Sequence, residues 1–326
     1  MILAGDVGGT NSRLGLFDDN RRPIFESTHP NAGKSGLPAV VAEFLNKAGT
    51  RVSTPITRAC FGVAGPVSGG KVTLTNLQWT MDEASLSTAL KIPKVALIND
   101  MVAHAEGVEL LGENHLVTLN EAAPIPQATR AIIAAGTGLG EGAMVWDSGH
   151  NGYRAVPSEG GHSDFSPRND QEIALLKFML QRQPTVSWEH VLSGPGTRNL
   201  YDFLISPGQL GSSAALADPD PTPAAITQAA LAKSNAACIA ALNMMAELYG
   251  AEAGNLAVTL LATGGVYIGG GIGIKILPLL KQSVFFERFW QRGPNNLRAL
   301  LKAMPIFLIN FDGSGLYGAA NFASRL

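Results

Sequence analysis

Short apolar runs interrupted by glycine alternate with longer amphipathic stretches along this chain. The run Ile2 to Ala4 meets Gly5 and Asp6, and after Gly8, Gly9, Thr10 and Asn11 the apolar character returns at Leu14 to Phe17. This pattern predicts a β-hairpin whose tip carries a carboxylate and glycines. RACFGVAG (58–65), KVTLTN (71–76) and KVALIN (94–99) read as further strands. LPAVVAEFLNKAG (37–49), DEASLSTALK (82–91) and DMVAHAEGVELLG (100–112) read as helices. Alternating apolar strands and amphipathic helices predict an α/β unit with a mixed or parallel sheet.

A second unit begins near residue 130. RAIIAAGTGLGEGAMVWD (130–147) repeats the opening design: apolar strand, glycine turn, apolar strand, terminal Asp. Further on, LADPDPTPAAITQAAL leads into a long helix with Thr222 as N-cap and Pro223 in its first turn. That helix is expected to carry Met244, Met245 and Leu248 as core residues. From Ala253 to Ile274 no residue is charged, long enough to raise a membrane span. Glycines divide the stretch into AVTLLA and VYI, so buried strands around glycine turns are predicted.

Composition narrows the class. The 326 residues are 46% hydrophobic and 15% charged, the profile of a compact enzyme. Lys and Arg (24) nearly balance Asp and Glu (26) with no basic run, which argues against nucleic acid or an anionic membrane as partner. Two distant cysteines, Cys60 and Cys238, argue against a disulfide framework or zinc ribbon. No signal-peptide pattern opens the chain, so a cytoplasmic location is expected.

The glycine turns carry the candidate chemistry. A glycine turn after a buried strand exposes backbone N–H groups that phosphate oxygens can approach. Asp6 beside phosphate makes chemical sense with Mg²⁺ between them, since that ion favours one or two carboxylates plus phosphate oxygens. The plainer alternative is a tight hairpin with positive φ at Gly8 and Gly9, and Asp6 merely capping the turn. NAGKSG (31–36) is no P-loop, because position 28 is Thr and no strand immediately precedes it. GTGLGEG likewise does not complete a dinucleotide fingerprint. Asn99 and Asp100 stand where a buried strand gives way to a helix, the edge of an α/β sheet at which ligands bind. Asp100 is also a good N-cap. PSEGGHSDF places Glu159 and His162 around two glycines, and SWEHVLSGPG places Glu189 before another turn. Such groups suit a hydroxyl-rich ligand, or simply occupy surface turns.

Taken in order, GDVGGTN (5–11), LINDMVAHAEG (97–107), AAGTGLGEG (134–142), SEGGH (158–162), VLSGPG (191–196) and GGVYIGGGI (264–272) resemble a bacterial glucokinase of the hexokinase-like, actin-type ATPase superfamily. The likeness runs on to DGSGLYGAA (312–320). It implies two actin/hexokinase-like α/β lobes with an interlobe cleft, the larger second lobe α+β with helical insertions. The expected division is 1–110 plus 313–326 against 111–312. It also implies phosphoryl transfer from MgATP to the 6-hydroxyl of glucose, with ATP and Mg²⁺ required. Gly5, Asp6, Val7, Gly8, Gly9, Thr10 and Asn11 would form one phosphate loop, with Asp6 toward the metal. Gly136, Thr137 and Gly138 would form the other, and the glycines from Gly264 and Gly265 to Gly271 would border the adenosine. Asn99, Asp100, Glu159, His162 and Glu189 would hold the sugar, with Asp100 as catalytic base. A homodimer is the expected assembly. A kinase for another hexose and a non-catalytic sugar sensor stay open. Departures from the family pattern are Glu141, expected to face away from the phosphate turn, and Leu261-Ala262 before GGVYI. The zinc-binding cysteine cluster of the ROK relatives and a DNA-binding segment are absent from this sequence.

Overall fold

The opening strands alternate sides: Ile2 and Ala4 turn toward one buried layer, Leu3 and Val7 toward another. Both faces of such a sheet must be covered by helices. The computed structural model, which describes residues 1–74 and 76–326, shows how. Strands β1 (Ile2–Val7), β2 (Asn11–Phe17) and β3 (Pro23–Pro30) form an antiparallel meander. Helix α1 (Leu37–Ala48) follows and buries Leu37, Val40, Val41 and Phe44, a stripe at helical spacing. Then come β4 (Arg58–Val63), the small hairpin β5 (Lys71–Leu74) and β6 (Trp79–Asp82), α2 (Glu83–Leu90), β7 (Lys94–Asn99) and α3 (Asp100–Gly107). The sheet order is β3-β2-β1-β4-β7, with β4 parallel to β1 and β7 parallel to β4. Strand β5 ends at Leu74, and Thr75 of the predicted KVTLTN strand lies outside the described residues.

The chain continues with β8 (Leu116–Asn120), β9 (Arg130–Ala135), β10 (Leu139–Asp147) and β11 (Gly152–Pro157). Helices α4 (Asp170–Leu180), α5 (Gly194–Leu204), α6 (Pro223–Leu231) and α7 (Ala236–Leu260) follow. Strand β12 (Val266–Gly269), helices α8 (Gly270–Lys275), α9 (Leu277–Leu280), α10 (Ser283–Trp290) and α11 (Asn295–Lys302), strand β13 (Ile306–Ile309) and helix α12 (Ser314–Ala323) complete it.

Two compact units result. One comprises residues 1–115, 144–157 and 311–326, the other residues 116–143 and 158–310. In the second, strands run β10-β9-β12-β13-β8, with β12 parallel to both β9 and β13. Its core gathers around α7, where Met245, Leu248 and Tyr249 are fully buried. This division differs from the expected one at 144–157, which groups with the first unit. Buried Glu106 of α3 explains the grouping: its carboxylate accepts from the Ala155 N–H (3.2 Å), from Asn321 Nδ2 (3.0 Å) and from Arg325 (2.6 Å).

Two sequence expectations need correction. The helix capped by Thr222 ends at Leu231; Lys233 is left-handed and Asn235 caps a new helix, α7, which carries Met244, Met245 and Leu248. AVTLLA is not a strand, since α7 runs through Ala257 to Leu260 and closes on left-handed Leu261. AVTLLA keeps apolar residues at exposed positions too, Val258 and Leu261 among them, so no periodicity separates helix from strand, and the length of α7 decides the matter. VYI is a strand, as expected. Among the described residues no helix is long and apolar enough to cross a membrane.

In the first unit, α3 and α12 cross at backbone contact. A Cβ on Gly318 would lie 1.7 Å from the Ala103 carbonyl oxygen, and one on Gly107 would lie 2.1 Å from that of Ser314. Gly318→Ala is therefore expected to destabilise the unit by about 1–3 kcal/mol, the ordinary cost of overpacking a core. Urea unfolding measures it, and unchanged stability would mean the helices can part at no cost.

Candidate active site

In the first unit the site forms at the carboxyl ends of β1, β4 and β7. Their register sets Val7 beside Val63 and Val63 beside Asn99, so Asp6 and Asp100 emerge at nearly one level. The β1–β2 turn is closed by the Gly8 N–H to the Asn11 carbonyl (3.0 Å), while Gly9, Thr10 and Asn11 are exposed. Neither Gly8 nor Gly9 has positive φ, so hairpin strain does not account for them. What they leave is open space: a Cβ on Gly9 would meet nothing nearer than 3.6 Å. Buried Asn31 fixes the turn from behind. Its Nδ2 donates to the Gly8 carbonyl (2.8 Å), its Oδ1 accepts from Ser12 (2.7 Å), and its N–H reaches the Thr10 carbonyl (2.9 Å). The sequence marks Asn31 only as part of a false P-loop, which hid its role.

The cap of α3 is Asn99, not Asp100. Asn99 Oδ1 accepts from the Met101 N–H (2.8 Å), and its Nδ2 donates to the Gly65 carbonyl (3.2 Å). Asp100 occupies the first helical position and also accepts from Met101 (2.9 Å). Burial raises the Asp100 carboxyl above its ordinary range; His104 and the Met101 N–H pull it down, and the charge of Asp6 pushes it up. His104, one turn further along α3, hydrogen-bonds Ser314 through Nδ1 (2.8 Å). Gly315 brings the first turn of α12 against Asp6, since a Cβ there would lie 3.0 Å from Asp6 Oδ2. The unpaired N–H groups of a helix start favour negative charge there. His104 and Ser314 were missed from sequence, because each becomes meaningful only through the other.

In the second unit Glu159, His162 and Glu189 come together. His162 stands 3.6 Å from Glu159 Oε2 and 3.8 Å from Glu189 Oε1. Glu189 is anchored by the Leu139 N–H, which donates to its Oε2 (2.9 Å). The segment holding Glu159 and His162 presses onto the start of β10: a Cβ on Gly161 would fall 2.1 Å from the Leu139 carbonyl oxygen, and one on Gly160 2.2 Å from Glu141 Oε2. Glu141 itself is buried, directed at Gly160 and at Glu252 of α7. Burial raises both carboxyls, Glu141 to about 7 and Glu252 to about 9, with Glu141 adding repulsion at Glu252.

A cavity of about 440 Å³ opens beside the β9–β10 turn. Gly136 and Thr137 border it, and the first turns of α5 and α6 supply Thr197 and Thr222. Ile272 and Ile276 give it an apolar wall, and Lys275 a positive charge. The Gly136 carbonyl accepts from the Gly194 N–H (2.8 Å), tying the turn to the start of α5. Gly270 makes the β12–α8 corner possible, with φ +80 and its Cβ position 2.2 Å from the Ala135 carbonyl oxygen. Of the glycines expected at the adenosine, Gly271 lines this cavity, and Gly264 and Gly265 are not among its lining residues. They precede β12, while Gly271, which borders the cavity, follows it. Gly264 is buried under Ala128, 2.3 Å from a Cβ to its carbonyl oxygen, and serves packing. The GGVYIGGGI motif holds two glycine groups at opposite strand ends, and only the second faces the cavity. Among the described residues no cluster of three or more His, Cys, Asp or Glu could hold a metal ion.

Paired carboxylates at a sheet edge, a polar cluster on a second α/β unit and a cavity beside a glycine turn fit a sugar kinase, the class to which the similar proteins belong. A sequence profile of the glucokinase family matches residues 3–326. A glucokinase from Nostoc sp. is 40% identical, covering 100% of this chain and 99% of its own. The crystal structure of a glucokinase from an Antarctic psychrotroph superposes with a TM-score of 0.87 at 30% identity, covering 100% of this chain and 99% of that one. A ROK family glucokinase from Streptomyces griseus, solved in complex with glucose and AMPPNP, shares the fold at 19% identity, TM-score 0.63, over 100% of this chain and 99% of its own. The chain belongs to the glucokinase family and is an ATP-dependent hexose kinase.

The two glycine groups separate by substitution. A Cβ on Gly271 meets nothing within 4 Å, so Gly271→Val is expected to fold normally and narrow the cavity. Its KM for ATP should rise about tenfold or more, the worth of one misfit side chain, with glucose binding unchanged. Gly264→Ala should lower the melting temperature and leave the KM for ATP alone. Paired melts and initial rates check both.

Proposed function

We propose that the protein transfers the γ-phosphoryl group of MgATP to the 6-hydroxyl of glucose, with Asp100 as general base. The observation that carries this is the state of Asp100. Its capping duty is taken by Asn99, no ion pair among the described residues involves it, and burial makes its carboxylate a stronger base. The complexes of glucose and AMPPNP known for a relative of this fold support both substrates. Glu159, His162 and Glu189 bind sugar hydroxyls in this reading. Asn99 makes one bond at Nδ2 and one at Oδ1, which leaves its second amide hydrogen and second lone pair for a sugar hydroxyl. Gly136, Thr137 and Gly138, with Gly271 and Lys275, receive the nucleotide.

Residues 5–11 contribute backbone N–H groups to phosphate and Asp6 to Mg²⁺. The donor set fits that ion: Asp6 offers oxygen, stands in no ion pair among the described residues, and adjoins an open turn. Bound Mg²⁺ neutralises charge on the transferring phosphates. The chain's own part is positioning, since phosphoryl transfer needs little covalent help from the protein. A homodimer in the cytoplasm completes the proposal, as the family resemblance implies.

A coupled assay for glucose 6-phosphate, repeated with mannose and fructose, tests the substrate; a higher kcat/KM for another hexose would overturn glucose. Asp100→Asn should bind glucose and lose about 10²–10⁴-fold in kcat. Retention of more than about a tenth of kcat would remove Asp100 as base. Asp6→Ala should melt near the unaltered temperature and need much more Mg²⁺ for half-maximal rate. A lowered melt with an unchanged Mg²⁺ requirement would make Asp6 structural.

A further inference from the structure

Glu141 and Glu252 form a buried acidic pair that the reaction above does not use. They are 3% and 4% exposed. Oε1 of Glu141 has no N–H or hydroxyl donor among the described residues, and the carboxyl of Glu252 is its hydrogen-bonding neighbour. Two carboxyls in contact away from water cannot both be charged, so one holds a proton for the other. The groups around them are fixed. Asn255 Nδ2 donates to Glu252 Oε2 (2.6 Å), Arg292 binds Asn255 Oδ1 and the Ala251 carbonyl, and the Tyr249 hydroxyl adjoins Glu141. Arg168 and Arg288 lie around Arg292, and Arg288 is paired with Glu172 and faces Glu247. Arg292 thus acts on Glu252, and among the described residues no basic group shifts Glu141.

On its other side, Glu141 touches the α-carbon of Gly160. The segment above is tied to itself by Gly160 N–H to Ser158 Oγ (2.9 Å), His162 N–H to the Glu159 carbonyl (2.9 Å) and Ser163 N–H to the Gly160 carbonyl (2.9 Å), and at its far end the Trp188 N–H donates to the Ser163 carbonyl (3.0 Å). Its support beneath is the Leu139 carbonyl and the Glu141 carboxyl. We infer that Glu141 and Glu252 share one proton and so seat the Glu159–His162 segment, making Glu141 a positioning residue for hexose binding. The inference rests on the functional reading above for the identity of the sugar. Loss of the shared proton leaves two charges repelling in a dry site. Glu141 then turns off its partner, the segment above loses its seat, and the sugar binds more weakly while the nucleotide does not.

The sign follows from the titrations. Both carboxyls titrate above their ordinary value of 4.5, at about 7 and about 9. The folded chain therefore holds protons that the unfolded chain releases. Stability falls as pH rises above 4.5 and continues to fall through about 9. Glu252→Gln removes the step at about 9, because its amide can accept from Asn255 and donate to Glu141 without a shared proton.

The test is calorimetric titration of the full chain with glucose, in the absence of ATP, from about pH 7.5, where one proton remains on the pair, to about pH 10, past the step at about 9. The unaltered protein should lose about tenfold in glucose affinity, the worth of one hydrogen bond. Glu252→Gln should stay flat, which also separates the pair from exposed His162. Glu141→Ala should bind weakly throughout, and AMPPNP affinity should hold within about twofold in every variant. Thermal melts over the same range, without sugar, should fall with pH for the unaltered chain and flatten in Glu252→Gln. Equal pH dependence in Glu252→Gln and the unaltered chain would overturn the inference, as would unaltered glucose binding by Glu141→Ala. Should Glu141→Ala fail to fold, Glu141→Gln takes its place and must also be flat. Failure of the unaltered chain to phosphorylate glucose would instead sink the functional reading, and the melts would still decide the shared proton.

Discussion

Gly161 lies on the carbonyl of Leu139 so closely that a Cβ would stand 2.1 Å from the oxygen, and Gly270 repeats the contact on Ala135 at 2.2 Å. Leu139 and Ala135 flank the β9–β10 turn, so both close approaches converge on it. One brings Glu159 and His162 over the start of β10, and the other brings α8 against the cavity beside that turn. Backbone against backbone has no rotamers to adjust, which makes these contacts stiffer than side-chain packing. Relaxing either would shift polar groups whose use depends on placement to a fraction of an ångström.

Charge is handled differently in the two units. In the first, burial and the charge of Asp6 raise the cost of ionising Asp100, His104 and the Met101 N–H offset it, and the start of α12 lies against Asp6. Both remain accessible to a ligand. In the second, Glu141 and Glu252 are shut away from water with a single cation to one side, and protonation is the remaining answer. Two acidic pairs in one chain thus reach opposite states, one suited to accept a proton and one already holding it.

The first unit was readily legible because its strands are short, its helices amphipathic and its turns punctuated. KVALIN is a strand to the residue, and Asp82 caps α2 where DEASLSTALK begins. The second unit was harder. Its central helix is apolar at most positions and stays apolar at exposed Val258, so AVTLLA read as strand, and the break at Lys233 to Asn235 carries neither proline nor glycine. Motifs located the turns correctly but not their facing, as Gly264 and Gly271 show. Asn31, His104 and the Glu141–Glu252 pair were invisible as roles, because each depends on a partner far along the chain. Composition and spacing cannot supply that distance.

Helix α12 places Leu316, Ala319, Ala320 and Ala323 in one buried layer with Ile2, Ala4, Phe17 and Cys60. During synthesis the opening strands leave the ribosome with this layer uncovered, and its cover arrives only after residues 116–310 have been made. The first unit begins the chain yet is the later one to close, since its long-range contacts wait on the last helix. For that interval the nascent protein shows an apolar sheet face, a surface on which a chaperone would find its hold.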